Sequence, residues 1–569
     1  MGAPVVPAVD VYGVLLFGIV VMVALVPPLA LFVQWRYRQA VRRSMLRAAT
    51  TAGPAPGQAT TQPPPRAVLT EPPQLRWEVL DGDAAEPDRP EDAFVAAMQA
   101  RTVLLHVVAA LSYGVVASAV FHAAARLGLS PVRFATLGLL FAWPLVPTLS
   151  HVLGGRGRGA LLLTGYLVLL IVPGALGGAG TGGMMLLAAI TIGPPAVLLL
   201  ALTHHRLRAV GPFLAPCGLV VGVGFAVAPW LGLPLVNVTP SLTGIATILA
   251  LGFLAAAAAL GFVGVRWIAG RYERRQSSDR SLLTGQWWLF ATMWLALAGF
   301  VPADARYTPA PLLALAAHQV VIGIGSRTLL RPATHPGNLR LLFLRTFGSR
   351  RRSERLLRDV TRPWAYLGTV QMIAGPDLAT ASLQPHEFLD FVRGRLARRF
   401  VRGPQDLAER LAAREERPDR DGRYRVEEYF CHDDTWRMTV QHLAAESSAV
   451  LMDLRGFTAA NRGVAYELGV LVDLYPLEQV VLAVDTSTDG AAVRGSVERV
   501  WRAMDPASPN RTRSETTVRV LRLDGPSAAA TPLMGALTAA ASRAPDPAPQ
   551  RMLPAPSAPL VSPPPALET

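Results

Sequence analysis

"AVLMDLRGFTAANRGVAYELGVLV", residues 449–472, contains the pattern that decides the fold class. Its first residues form a continuous apolar run, which is typical of a strand buried on both faces of a parallel sheet. After a polar loop, Val464, Leu468 and Leu471 recur at helical spacing. The stretch therefore predicts a strand followed at once by an amphipathic helix over 462–475, the repeating unit of a doubly wound α/β domain.

The same alternation extends over the last part of the chain. It predicts four further buried-type strands, each followed or preceded by an amphipathic helix, at 339–347, 369–375, 479–485 and 516–523. Five such strands predict a doubly wound parallel sheet of flavodoxin-like size. A charge-rich segment near 403–430 interrupts the pattern, and we expect it to be an inserted exposed helix and loop.

Polar and aromatic residues follow the predicted strands, and in such sheets ligands bind beyond the carboxyl ends of the strands. Arg345 and Phe347 lie at the end of the first predicted strand, and Asp453 and Arg455 lie at the end of the strand that begins at Ala449. An arginine here could hold a pyrophosphate, and Phe347 or Tyr466 could stack on a base. The alternatives are aromatic side chains packed in the core and arginines that face anionic lipid.

Glu467 lies beside the apolar stripe of the predicted helix 462–475, not in its centre. A helix that follows a strand begins at the ligand edge, so its first two turns should line the crevice. One interpretation is a carboxylate within reach of a bound molecule. The other is a solvated glutamate placed favourably near the positive end of the helix dipole.

The motif "GVAYELG", Gly463 to Gly469, resembles the Gly-x-x-x-Glu-Leu-Gly pattern of the nucleoside deoxyribosyltransferases. Together with the order of elements, it also resembles the related Toll/interleukin-receptor (TIR) domains, over roughly residues 339–523. In both families that glutamate acts on the ribose at an N-glycosidic bond. The resemblance implies Glu467 as the catalytic carboxylate and NAD or a related nucleotide as substrate, with no metal or other cofactor. The strand "LLFLRTF" would match the first TIR strand, whose following loop helps hold the nucleotide.

The first half of the chain is apolar enough for a lipid bilayer. Hydrophobic residues make up 51% of the chain and the mean hydropathy is +0.33. The apolar stretches predict a multi-pass helical membrane domain of about nine spans, at 10–33, 103–124, 133–153, 159–178, 182–203, 209–230, 243–265, 285–302 and 308–325. Arginines concentrate in alternate loops, which predicts a cell-membrane protein with its N-terminus outside and its C-terminal domain in the cytoplasm.

Charge and cysteine content exclude several classes of function. The net charge of +14 could suggest nucleic acid as a partner, but the positive-inside rule already accounts for the arginines. Residues 93–272 contain no Asp or Glu, which argues against an ion-coupled carrier. The two cysteines suit neither a disulfide framework nor a zinc site. The sequence has no phosphate-binding glycine loop of the P-loop type.

These patterns divide the chain into five parts. They are a first transmembrane helix (1–33), a Pro-rich cytoplasmic linker (34–101), a membrane bundle (102–326), a TIR-like domain (327–523) and a disordered tail (524–569). The leading hypothesis is a membrane-tethered signalling module that cleaves the N-glycosidic bond of NAD or a related nucleotide. The alternative is a non-catalytic scaffold that self-associates and recruits partners through the TIR-like domain. A transporter or sensor with a regulatory domain is the third hypothesis.

Overall fold

The structure, a computed structural model, contains a helical bundle followed by a sheet domain. It describes residues 26–44, 72–81, 90–154, 156–174, 181–202, 210–238, 243–300, 307, 309–331, 338–345, 350–374, 385–414, 416–432, 434–458, 461–523 and 530–543.

The helices of the bundle are α1 (26–44), α2 (Pro90–Ala124), α3 (Pro131–Phe141), α4 (Leu145–Leu153), α5 (Arg156–Gly174), α6 (Thr181–Leu202), α7 (Gly211–Val238), α8 (Thr243–Glu273), α9 (Asp279–Leu295) and α10 (Pro311–Thr328). A π-helical turn, Ala296–Phe300, continues α9. The helices of the sheet domain are α11 (Arg350–Trp364), α12 (Pro385–Val392), α13 (Pro404–Ala412), α14 (Trp436–Glu446), α15 (Arg462–Leu474), α16 (Gly490–Arg502) and α17 (Ala530–Ala541). Short 3₁₀ turns lie at Leu396–Arg399, Leu477–Gln479 and Pro509–Thr512.

The sheet has eight strands, which run parallel in every described pair. They are β1 (Gln74–Asp81), β2 (Leu339–Arg345), β3 (Gly368–Ala374), β4 (Phe400–Val401), β5 (Val426–Cys431), β6 (Ala449–Asp453), β7 (Val480–Val484) and β8 (Glu515–Arg522). The order across the sheet is β1-β8-β7-β6-β2-β3-β5-β4. The five predicted strands form its centre, and three further strands extend it at the two edges.

Helices cover both faces of the sheet, as the doubly wound prediction requires. One face packs against α11, α17 and the first turns of α2 through a core that includes Met98, Leu356 and Leu537. The other face packs against α14, α15 and α16 through a core that includes Leu443, Leu468 and Val497. Strand β6 is buried along its whole length, which explains its continuous apolar sequence. The parallel α/β fold predicted from the sequence is confirmed.

The number of predicted membrane spans is not supported. Among the described residues, only α2 and α8 are long and apolar enough to cross a membrane, and α3 with α4 would be a third span, bent by 54°. Shorter apolar helical segments lie at Arg158–Val172, Gly182–Val197 and Gly211–Gly224. Glycine and proline interrupt this region, including Pro194 and Pro195 within α6. The coarser prediction holds, since the chain contains helices that could cross a membrane.

Three segments that were predicted to be a linker, an exposed insertion and a disordered tail contribute to the sheet domain, so those predictions are wrong in part. The predicted linker 34–101 contains β1, which pairs with β8, and the start of α2. The predicted insertion 403–430 contains the expected helix, α13, but also β5, which pairs with β3 and β4. The predicted disordered tail contains α17, whose Leu533 and Leu537 are fully buried.

Candidate functional site

The strand order creates a switch point between β2 and β6. From β2 the chain crosses to β3 on one side, whereas β6, β7 and β8 follow one another on the other side. In open parallel sheets, ligands bind in the crevice beyond the carboxyl ends of the strands at such a point. The last residues of the two strands, Arg345 and Asp453, are directly paired across it.

Glu467 lies in the second turn of α15, the helix that leaves this edge of the sheet after β6. Only 6% of its surface is exposed. Its Oε2 atom has no hydrogen-bond partner among the described residues. Burial raises the pKa of Glu467 to about 8, and the positive charge of Arg345 opposes that rise. The interpretation of Glu467 as a solvated surface glutamate is therefore wrong.

Arg345 is the charged neighbour of Glu467. It ends β2 and is only 4% exposed, so its guanidinium lies in the interior at the switch point. Its electrostatic attraction favours the ionised form of the Glu467 carboxyl. The sequence predicted that both side chains would lie on the ligand side, and the fold brings them into interaction range.

Asp453 and Arg455 lie at the same edge but are bonded to each other. The Arg455 Nε donates to Asp453 Oδ1 at 2.8 Å, and its Nη2 donates to Oδ2 at 2.9 Å. The backbone N–H of Arg455 and the hydroxyl of Ser353 also donate to the Asp453 carboxylate, at 3.2 and 2.8 Å. The predicted nucleotide-binding role of the pair stays a prediction, but this bonding indicates a structural function.

An aromatic cluster lies beside Glu467, where α14 and α15 begin. The rings of Trp436 and Tyr466 meet edge to face, with centroids 5.1 Å apart. The Arg437 guanidinium lies over the Tyr466 ring at 4.9 Å, and Gln441 Nε2 donates to the Tyr466 hydroxyl at 3.3 Å. Tyr466 is partly buried, so its side chain lies between the protein core and the solvent-exposed surface. The sequence analysis missed Arg437, although it follows Trp436 in the first turn of a helix that begins at this edge.

Phe347, the remaining predicted site residue, lies in segment 346–349, outside the described residues. A concavity of about 520 Å³ lies elsewhere, at the β1–β8 edge of the sheet, and is lined by polar groups that include Arg76, Glu78 and Arg519. Arg519 forms an ion pair with Glu78 there, at 3.1 Å. We assign the candidate site to the switch point because Glu467, a buried carboxyl with an oxygen that has no described hydrogen-bond partner, lies there beside the buried Arg345.

Comparison of the chain with family models, with curated proteins and with solved structures finds no match in any of the three.

Proposed function

We propose that the sheet domain is a TIR-like module that binds a nucleotide at the β2–β6 switch point and cleaves its N-glycosidic bond, with NAD as the first candidate substrate. The observation that carries this proposal is Glu467, a buried carboxyl at that point whose Oε2 has no described partner. A buried carboxyl with an oxygen left without a hydrogen bond is costly, and such groups concentrate at functional sites. The "GVAYELG" motif and the strand order support the choice of chemistry.

Glu467 would act on the ribose as a carboxylate. Its pKa of about 8 keeps the carboxyl largely protonated at neutral pH in the free protein. The nicotinamide ring of NAD is cationic, so its binding would favour the ionised form, as Arg345 already does. The carboxylate would then stabilise the oxocarbenium-like transition state.

The reaction balances with water as the only other reactant. The bond between C1′ and the nicotinamide nitrogen breaks, and its electron pair leaves with neutral nicotinamide. Water adds to C1′ and gives its proton to Glu467, which later releases it to solvent. The Trp436–Tyr466 pair offers a half-buried aromatic surface for a base near the same edge. Arg437, held over these rings, would supply a cation for a phosphate.

The test is nicotinamide release from NAD by the purified full chain, measured both dilute in detergent and crowded in liposomes because assembly could be required. Glu467→Gln keeps the shape of the side chain and removes its charge. Glu498→Gln is the matched control, since Glu498 is partly exposed on α16 and forms an ion pair with Arg502 one turn away, at 3.5 Å. Release by the wild type and the control, but not by Glu467→Gln, would support the proposal. Equal release by Glu467→Gln would refute the role of Glu467. No release by any folded protein would favour the non-catalytic scaffold.

The sheet domain is proposed to lie in the cytoplasm, tethered to the membrane by the bundle. The connection between α8 and α9 carries Arg274 and Arg275, and it contacts the sheet domain through Arg425, whose Nη2 donates to the Ser277 carbonyl at 3.2 Å. This contact supports a position of both on the same side of the bilayer, and the positive-inside rule favours the cytoplasm. A C-terminal green fluorescent protein fusion should fluoresce, and an alkaline phosphatase fusion should be inactive. The reverse result would refute this orientation.

A further inference from the structure

Three arginines meet where the bundle joins the sheet domain, away from the β2–β6 edge. Arg280 lies in the first turn of α9, Arg362 near the end of α11, and Arg423 in the connection before β5. Arg280 Nη1 donates to the Tyr366 hydroxyl at 2.9 Å, and the Arg423 guanidinium lies 5.7 Å from the centre of the same ring. Arg423 Nη2 also approaches the Arg362 carbonyl, at 3.5 Å. We call these three residues the arginine cluster.

The arginine cluster spans both halves of the protein. Tyr366 belongs to the sheet domain, and its hydroxyl lies 3.4 Å from Thr102 Oγ1 of α2. The Arg362 side chain reaches Gly154 at the end of α4, so closely that a Cβ added at that glycine would lie 1.5 Å from Arg362 Nη1. Gly154 also has a positive φ of 67°, which a side chain would disfavour. The cluster therefore lies at the ends of bundle helices, against the sheet domain.

The guanidinium groups of the arginine cluster form no salt bridge with a described carboxylate. The Nε atoms of Arg280 and Arg423 have no hydrogen-bond partner, and no described carboxylate forms a salt bridge with any of the three guanidinium groups. Arg280 is only 3% exposed. Burial, and next the charge of Arg280, lower the pKa values of Arg362 and Arg423. A group of buried, mutually repelling cations is unfavourable unless an anion compensates it.

The nearby acidic groups are engaged elsewhere. Asp279 and Asp421 are within electrostatic range of Arg423, and Asp359 is within range of Arg362. However, Asp279 Oδ1 accepts a hydrogen bond from the Tyr272 hydroxyl at 2.8 Å. Asp421 Oδ2 accepts one from Ser278 Oγ at 2.6 Å, and its Oδ1 accepts from the Arg423 backbone at 3.3 Å. Asp279 and Asp421 are thus held by other donors, and no described carboxylate forms a salt bridge with the three guanidinium groups.

We propose that the arginine cluster binds a phosphate group, supplied by an anionic phospholipid head group or by a soluble phosphate. Guanidinium groups match phosphate oxygens with paired N–H donors. Arg280 forms the buried floor of this site, and the partly exposed Arg362 and Arg423 form its rim. Basic pockets at the ends of bilayer-spanning helices are where lipid head groups bind. A phosphate bound here would hold α2, α4 and α9 against the sheet domain, and it is independent of the proposed NAD chemistry.

The test uses the full chain in detergent, with inorganic phosphate and phosphatidylglycerol as separate probes. Thermal unfolding is followed during a phosphate titration at constant ionic strength. Native mass spectrometry then counts phosphatidylglycerol retained after transfer from vesicles of phosphatidylglycerol and phosphatidylcholine. Arg423→Gln removes a rim cation, and Arg423→Lys keeps the charge without the paired donors. Arg274→Gln, at an exposed arginine near the end of α8, is the matched control.

We expect at least one probe to bind the wild type, with affinity reduced about tenfold in Arg423→Gln, reduced less in Arg423→Lys and unchanged in Arg274→Gln. Because phosphate also stabilises proteins by exclusion from their surfaces, only the difference between wild type and Arg423→Gln counts. Binding of inorganic phosphate alone would assign a soluble ligand, and retention of phosphatidylglycerol alone would assign a lipid. The proposal is overturned if neither probe binds. It is also overturned if folded Arg423→Gln, or folded Arg423→Lys, binds the probe as tightly as the wild type does.

Discussion

Asp453 and Glu467 are two carboxyl groups at the same edge of one sheet, and they differ in their partners. Asp453 is fully buried and accepts hydrogen bonds from both Arg455 and Ser353. Glu467 is almost as buried, but its Oε2 has no described hydrogen-bond partner. A buried charge that is paired and hydrogen-bonded can serve the fold, whereas an incompletely compensated one lowers stability. We therefore expect Asp453 to serve the fold, and the ligand-directed role that we propose falls to Glu467.

Removal of the Asp453 charge should produce the largest loss of stability. Asp453→Asn removes the negative charge that pairs with the partly buried Arg455 guanidinium at 2.8 Å. Loss of one member of such a pair costs about 3–5 kcal/mol. The free energy of unfolding of the full chain, measured by chemical denaturation, checks this value, with Glu498→Gln, at a partly exposed glutamate, as control. A loss no greater than that of the control would remove the distinction between the two carboxyl groups.

Glu467→Gln should have an effect that depends on pH. The pKa of Glu467 is raised from 4.5 to about 8 in the folded protein, so the folded state binds more protons than the unfolded state between those values. The stability contributed by the protonated group is complete below about pH 4.5 and is lost as the pH rises through about 8. Because glutamine does not ionise, Glu467→Gln does not lose stability in this way. Its free energy of unfolding relative to that of the wild type should therefore increase from pH 5 to pH 9. The difference should reach a few kcal/mol, since each unit of pKa difference corresponds to about 1.4 kcal/mol. If the free energies of unfolding of the two proteins changed in the same way with pH, Glu467 would not be a buried carboxyl with a raised pKa.

Ser353→Ala should have the smallest effect of the three. Ser353 is 1% exposed, and its hydroxyl donates to Asp453 Oδ2 at 2.8 Å. The substitution removes one hydrogen bond to a charged group but leaves the Arg455 pair in place. We expect a loss of about 1.5 kcal/mol in the free energy of unfolding. In the double variant with Asp453→Asn the two losses should not add, because both variants remove the same bond.

The centre of the fold could be predicted from local sequence, because β2 and β6 are continuous apolar runs and α15 has a clear helical period. The edge strands and α17 could not be predicted in this way. Strand β1 pairs with β8, more than four hundred residues away in the chain, and β5 carries Glu427 and Glu428 within a charged segment. Helix α17 is rich in alanine and lies in a stretch of low complexity, so its burial depends on contacts with the sheet that composition does not reveal.

The candidate site was predicted in part. The alternation of strands and helices was enough to place Arg345, Asp453 and Glu467 at one edge of the sheet. The alternation could not distinguish Asp453, which is bonded to Arg455, from Glu467, whose Oε2 has no described hydrogen-bond partner. Ser353 reaches Asp453 across 100 residues of sequence, and the burial of Glu467 is set by tertiary packing beside its helix. Both properties depend on contacts between elements that a local pattern does not specify.

The most direct test of the ligand-directed role of Glu467 is nicotinamide release from NAD by full-length wild type and Glu467→Gln, measured from pH 6 to pH 9. The account predicts that kcat/KM of the wild type rises with pH and levels off above about 8, because the free protein must lose the Glu467 proton. Glu467→Gln should release no nicotinamide at any pH. Release that does not depend on pH, or that survives in Glu467→Gln, would contradict the account.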